Sequence, residues 1–202
     1  ALQKRWRGTI YHTTYSAYSR GVLIWIRPGV PFQEHSSIID DAGRFIIVYG
    51  KLYGVDVALI NVYAPNVEQP EFLDTLSGRL AALTDYRLII GGDFNCVADV
   101  TLDRSHPPLP RAPTRNIANK MREWEERWKL IDSWRALNPG DRDYSYYSGM
   151  HDLNVRLDRI YSSPQMHTML MNTEYLPKTC SDHNPLMAIY KMSRTKAPIP
   201  SW

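Results

Sequence analysis

Cysteine is scarce in this sequence: two residues, Cys96 and Cys180, in a chain of 202. Neither has metal-ligand spacing to the other or to a histidine pair. That excludes a zinc-finger or disulfide-stapled scaffold and leaves two reduced, structural thiols, hence an intracellular setting, nuclear or cytoplasmic. Long apolar runs are missing as well. None approaches the ~20 residues that a membrane-spanning helix needs, so no membrane partner is expected. Residues 1–8 are basic and polar with no apolar stretch behind them, which excludes a secretory signal at that point. Charge of one sign is also in short supply. A net charge of +3 excludes a histone-like polycation while remaining compatible with a nucleic-acid partner. There is no internal repeat and no low-complexity tract.

What is present is β-rich. Residues 9–15 and 22–26 carry β-branched and aromatic types, separated at Ser19-Arg20-Gly21. Residues 44–53 and 55–63 are two apolar runs joined at Gly54, which predicts a hairpin. Phe72, Leu76, Leu80 and Leu83 recur at helical spacing, and Pro70 suits the first turn of that helix. A short apolar strand, 87–92, ends in two glycines. A second helix is predicted over 116–129, with Ile117, Met121, Trp124 and Trp128 on its core face. Between them, 102–115 holds four prolines with Arg104, Arg111 and Arg115, so it reads as an irregular basic loop. Strands follow at 144–148, 155–161, 173–176 and 186–191, with a helical turn at 164–170. These elements make one α+β domain over 1–192, two packed sheets with helices outside; 193–202 reads as a linker or tail.

Chemistry-bearing residues collect where strands end. Asn61-Val-Tyr-Ala-Pro-Asn66 closes one strand, and Gly91-Gly-Asp-Phe-Asn95 closes the next. Asp158 stands in Arg156-Leu-Asp-Arg-Ile160, and Ser181-Asp-His-Asn-Pro185 precedes the last strand. Singly, each has a plain structural explanation: Asp and Asn favour turns, and a strand tyrosine is usually packing. In order along one chain, they form an inventory for phosphodiester hydrolysis. A carboxylate beside an amide takes a proton from water and orients it. A histidine charged by an aspartate donates to a phosphate oxygen, and a divalent cation needs hard carboxylate ligands.

This ordered set resembles the endonuclease/exonuclease/phosphatase superfamily, and within it the endonuclease domains of LINE-type non-LTR retrotransposons. The resemblance spans about 9–192 and implies a four-layer α/β sandwich, here without the family's first strand–helix–strand. It implies DNA nicking with Mg2+ (Mn2+ as a substitute), and a reverse transcriptase in the same parent polyprotein. By this likeness Asp93 activates the attacking water and Asn95 orients it. Tyr63 and Asn66 contact the scissile phosphate, His183 stabilises the transition state, Asp158 orients and charges His183, and Asp182 helps hold the metal. Ser145 stands where the family places a DNA-contacting Thr or Ser. Arg104 and Arg115 in the basic loop are further candidates for substrate binding.

The likeness breaks at one point. The family pattern opens with a strand bearing an Asn and, after a helix, a strand ending in a metal-binding Glu. This chain begins after that point. Glu34, Glu68, Glu71, Glu123, Glu125 and Glu126 offer no substitute, since none follows a buried strand before Thr9. The expectation is an inactive or weak isolated chain with an exposed sheet edge. Two rival functions stay open: a phosphatase of the same superfamily, or a catalytically dead remnant that binds DNA or protein.

Overall fold

The computed structural model describes residues 7–16, 19–66, 71–106, 114–149, 152–178 and 180–192, leaving aside the side chains of 114–116. The Pro-rich stretch 107–113, Pro70 and the tail expected at 193–202 lie outside these residues. The chain opens with a hairpin, β1 (Thr9–Ser16) and β2 (Ser19–Ile26). Ser19 to Gly21 therefore belong to a strand; Arg20 takes the left-handed backbone conformation at its start (φ 54°). Then come β3 (Phe32–Ile39), β4 (Phe45–Leu52), β5 (Val55–Tyr63), helix α1 (Glu71–Leu80) with a 3-10 turn, and β6 (Arg87–Asp93). Helix α2 (Thr114–Trp128) leads to β7 (Ile131–Asp132) and α3 (Ser133–Leu137). The last part holds β8 (Tyr146–Ser148), β9 (Leu153–Val155), β10 (Asp158–Ser162), α4 (Pro164–His167), β11 (Leu170–Tyr175) and β12 (Leu186–Tyr190).

The architecture is an α+β sandwich. Its central layer is a six-stranded sheet ordered β3-β4-β5-β6-β10-β7, with β5 and β6 parallel and the other pairs antiparallel. The parallel pair requires a crossover, and α1 supplies it. The β4–β5 turn is Tyr53-Gly54, both at positive φ (52° and 84°), the geometry that a two-residue hairpin loop with matching twist demands.

Alternation along the strands assigns the faces. Phe45, Ile47, Ala58, Ile60, Val62, Leu88, Ile90 and Tyr161 point to one side, where Leu73, Leu76 and Leu80 of α1 and Met121 and Trp124 of α2 close the main core. Ile46 and Val48 point the other way and bury Val22 of the β1–β2 hairpin, with Tyr11, Ile24 and Tyr63 packed around them. That hairpin is also fastened by polar contact: Asn61 Nδ2 on β5 donates to the Leu23 carbonyl on β2 at 2.8 Å. The second hairpin, β11–β12, joins β10 through the hydroxyls of Ser162, Ser133 and Tyr190.

Below the ends of β6 and β10 lies a buried charge cluster. Asp103 is fully buried and accepts from Arg156 Nε at 2.7 Å, Arg156 NH2 at 3.1 Å, Arg135 NH2 at 2.8 Å and Arg159 NH2 at 3.3 Å. Asp132 takes Arg156 NH1 at 2.7 Å. Burial alone would raise the Asp103 pKa, but the charges of Arg159 and Arg156 and their hydrogen bonds hold it well below the ordinary carboxylate range. The cluster ties the segment after Asn95 to the strand that carries Asp158.

Candidate active site

The sheet register builds the site. Tyr63 at the end of β5 is paired with Asp93 at the end of β6, and Asp93 is paired with Asp158 at the start of β10. Three of the candidate side chains thus stand in one row, about 5 Å from strand to strand. Because side chains at one pleat position point to one face, all three address the same side of the sheet.

Each element is locked by its own backbone chemistry. Gly92 precedes Asp93 with φ 135°, and a Cβ there would collide with the Val62 carbonyl; only glycine lets β6 approach β5 so closely at this step. Asp93 Oδ1 accepts from the Asn95 backbone N–H at 2.8 Å, and Asn95 sits at φ 48°, a conformation that Asn tolerates. The turn that Asp-Phe-Asn suggests is therefore the device that aims the carboxylate. Asn95 Nδ2 donates to the Ala64 carbonyl at 2.9 Å, which leaves its Oδ1 as the group able to accept from a water. Phe94, between them, turns to the core against Trp124 and Tyr161.

His183 reaches this row from the loop before β12. Its Nδ1 lies 2.6 Å from Asp158 Oδ2, and its ring packs 4.9 Å from that of Tyr146. The loop is anchored by Asn184, whose N–H donates to the Ser145 carbonyl at 2.7 Å and whose Nδ2 donates to the Tyr144 carbonyl at 2.9 Å. A cleft of about 580 Å³ results, lined by Tyr63, Asn66, Asp93, Asn95 and His183 with Asp158, Ser181 and Asp182. Tyr146 and Leu157 supply its apolar wall.

Electrostatics set the two titrating groups against each other. Burial raises the Asp93 pKa, the Asn95 N–H offsets part of that, and the nearby Asp158 raises it further. The hydrogen bond to Asp158 raises the His183 pKa, against a partial lowering by burial, and the charges of Asp158, Asp93 and Asp182 add to the rise. One carboxylate is made more basic, and one imidazole is kept charged to a higher pH.

The structure thus brings Tyr63, Asn66, Asp93, Asn95, Asp158, Asp182 and His183 to one cleft. Of three other expected substrate contacts, two fall elsewhere and the side chain of the third is outside the described residues. Ser145 is 1% exposed, and its Oγ accepts from the N–H groups of Leu157 and Asp158, both at 2.9 Å. It is a buried buttress for the start of β10, since a hydroxyl was the acceptor those two N–H groups needed. Arg104 makes a backbone bridge to Val155 and is outside the cleft lining. The side chain of Arg115 is outside the described residues, and its backbone lies in α2 rather than in a loop. Cys96 is buried and Cys180 exposed, both as free thiols, so a structural role suits Cys96 alone. Tyr146 and Leu157 were not legible as site residues, because nothing in a Tyr-rich strand or an Arg-Leu-Asp run marks which apolar side chain faces the cleft.

Among the described residues, no three His, Cys, Asp or Glu side chains are grouped so as to hold a metal ion. Asp158 Oδ2 pairs with His183 and Asp93 Oδ1 accepts from the Asn95 N–H, so Asp182, exposed at the rim, is the cleft carboxylate that holds no other member of the row. Glu34 lies on β3 rather than in a loop and accepts from the Tyr11 hydroxyl at 2.7 Å; Glu125 accepts from Tyr161 on the helix-covered face. The described donors do not fit a complete magnesium site, which needs near-octahedral oxygen ligation.

A sequence profile described as the Endonuclease/Exonuclease/phosphatase family matches residues 2–183. The "Transposon TX1 uncharacterized 149 kDa protein" of Xenopus laevis is 29% identical over 184 residues; the match covers 89% of this chain but 14% of that protein. Among solved structures, AP endonuclease LMAP from Leishmania major superposes with a TM-score of 0.67 at 19% identity, over 91% of this chain and 62% of that one. The 3′ phosphatase NExo from Neisseria, bound to a product DNA hairpin, gives 0.64 at 20% identity, over 85% of this chain and 75% of that one. At these identities the structural likeness speaks to the fold.

Proposed function

Because the chain belongs to the endonuclease/exonuclease/phosphatase family, we propose that its cleft hydrolyses a DNA phosphodiester, as the nicking domain of a LINE-type retrotransposon polyprotein with a reverse transcriptase in the same chain. The observation that carries this reading is the single row Tyr63–Asp93–Asp158 with His183 attached to its end. The transposon likeness favours DNA over a small phosphorylated metabolite.

In this reading, water lies between Asp93 and Asn95 Oδ1. Asp93 takes its proton as the oxygen attacks phosphorus, and its raised pKa makes it a better base than an exposed carboxylate. His183, held charged by Asp158, turns Nε2–H toward a non-bridging phosphate oxygen as negative charge builds there. Tyr63 and Asn66 hold the phosphate for in-line attack. Magnesium is the family's expected cofactor, but the carboxylates described here give it Asp182 with little help, so no step is assigned to it and the 202-residue chain by itself is expected to turn over slowly.

The test is nicking of supercoiled plasmid at high protein concentration with Mg2+ present, beside phosphate release from inositol phosphates. Slow nicking that vanishes in Asp93→Asn and His183→Ala, with no release from inositol phosphates, is the expected result. Hydrolysis confined to the small phosphate esters would replace this reading with the phosphatase one. DNA binding that gives no cleavage even at stoichiometric protein would favour the dead remnant.

A further inference from the structure

The row that builds the site extends one strand beyond it. The Tyr63 N–H donates to the Arg44 carbonyl at 2.7 Å, so Arg44 stands beside Tyr63 on the flank away from Asp93. Its guanidinium lies over the Tyr63 ring, 5.6 Å from the centroid. From the other layer, Arg20 at the start of β2 stacks on Tyr15 at 4.1 Å. Backbone packing sets the two side by side: a Cβ built on Gly43, the neighbour of Arg44, would lie 3.2 Å from the Arg20 carbonyl oxygen. Burial and the charge of Arg20 lower the Arg44 pKa, against Tyr63 and Asp40, which raise it. Like charges held together at a surface cost stability unless something negative joins them. Among the described residues, neither guanidinium has a carboxylate within ion-pair distance; Asp40, which accepts from the backbone N–H of Arg44, acts on its side chain only through the field.

Each guanidinium carbon lies over an aromatic ring; Arg44 also turns one N–H to the Tyr63 carbonyl at 3.5 Å, which holds the group in place while its other N–H groups stay available to a phosphate. Two strand spacings place the Arg44 backbone about 10 Å from that of Asp93. At a rise of about 3.4 Å per nucleotide, that is the distance to a phosphate one to three nucleotides from the one being cut.

We propose that Arg20 and Arg44 form a second anion subsite, which takes a flanking phosphate of the same polynucleotide strand whose scissile phosphate sits at Asp93. The proposal rests on the nuclease reading above and adds to it: the cleft is built for a chain of phosphates rather than for an isolated phosphate ester. It also gives the β1–β2 hairpin a task, since one of the two arginines rides on it.

The test is the salt dependence of binding of the unmodified chain to a short fluorescein-labelled DNA duplex, followed by anisotropy without turnover. Each phosphate contact contributes about 0.9 to the slope of log affinity against log salt, so Arg20→Gln with Arg44→Gln lowers that slope by about 1.8. Arg20→Lys with Arg44→Lys keeps the charges and the slope, and Lys120→Gln on the outside of α2 leaves the slope unchanged. An unaltered slope in the double glutamine variant overturns the subsite while leaving the nuclease reading in place. A slope lowered equally by the lysine pair also overturns it, because the arginines then act through the fold. Absence of salt-dependent binding by the unmodified chain overturns both.

Discussion

The His183 imidazole gives its Nδ1 hydrogen to Asp158 Oδ2 across 2.6 Å, and Asp158 is itself the strand partner of Asp93. The pair joins the loop before β12 to the centre of the sheet and sets the charge of the cleft. Asp158→Asn keeps the shape and removes the charge. The His183 pKa, raised in the unmodified chain chiefly by its hydrogen bond to Asp158, should then fall in an NMR titration of its ring protons. An unchanged midpoint would mean that the carboxylate does not govern the imidazole.

The same two shifts set the pH profile of any turnover. Activity should rise as Asp93 loses its proton, from a midpoint above the usual aspartate value, and fall as His183 loses its own above 6.5. Asp93→Asn should remove the acidic limb and cost about 10²–10⁴-fold in rate while leaving the thermal unfolding curve in place. A rate that climbs without limit into alkaline solution would show that a charged His183 is not required.

Asp103 gives a stability prediction independent of catalysis. Its folded pKa is depressed, so its contribution is fully present above about pH 4, the unfolded value, and is lost as pH falls toward the folded one. Asp103→Asn leaves Arg156 and Arg159 buried without their shared anion and should cost about 3–5 kcal/mol in urea unfolding at neutral pH. The variant should also lose much of the steep acid sensitivity of the unmodified chain. A loss of less than about 1 kcal/mol would show that water or rearranged carbonyls satisfy the arginines.

Gly92→Ala tests the backbone of the site. The new Cβ meets the Val62 carbonyl at a φ of 135°, so the change should cost at least about 1–3 kcal/mol and disturb the Tyr63–Asp93 pairing. Amide exchange at residues 61–63 should quicken in the variant. Gly140, with open space around it, is the matched control and should accept alanine without such an effect.

Much of this was legible in the chain. The β4–β5 hairpin shows as two apolar runs joined at Gly54, since β4 is covered on both faces, β6 as a short apolar run, and α1 and α2 by helical spacing of their buried faces. Strand β3 was missed: Gln33, Glu34, His35, Ser36 and Ser37 look like loop, yet an edge strand paired on one side needs little apolar surface. Strand β7 and helix α3 are too short to show a period. Three of the four site segments announced themselves by unusual residues at strand ends, with Asp158 fainter in its Arg-rich run. The surroundings of the site did not. Arg20 and Arg44 are neighbours only because a hairpin folds onto β4, and Asp103 is buried within a stretch that reads as a basic, Pro-rich surface loop. Ser145 misleads in the opposite direction: its hydroxyl stands near the candidate row, as a substrate contact would, but two backbone N–H groups claim it.

Titration of a short phosphorylated oligonucleotide into the isotope-labelled chain, followed by NMR, addresses the central claim without relying on turnover. If one phosphate is gripped by segments from four places in the sequence, the side-chain amides of Asn66 and Asn95 and the ring protons of His183 shift together and saturate with a single Kd. Movement of His183 while both asparagines stay still, or saturation with unrelated Kd values, would contradict a shared binding cleft.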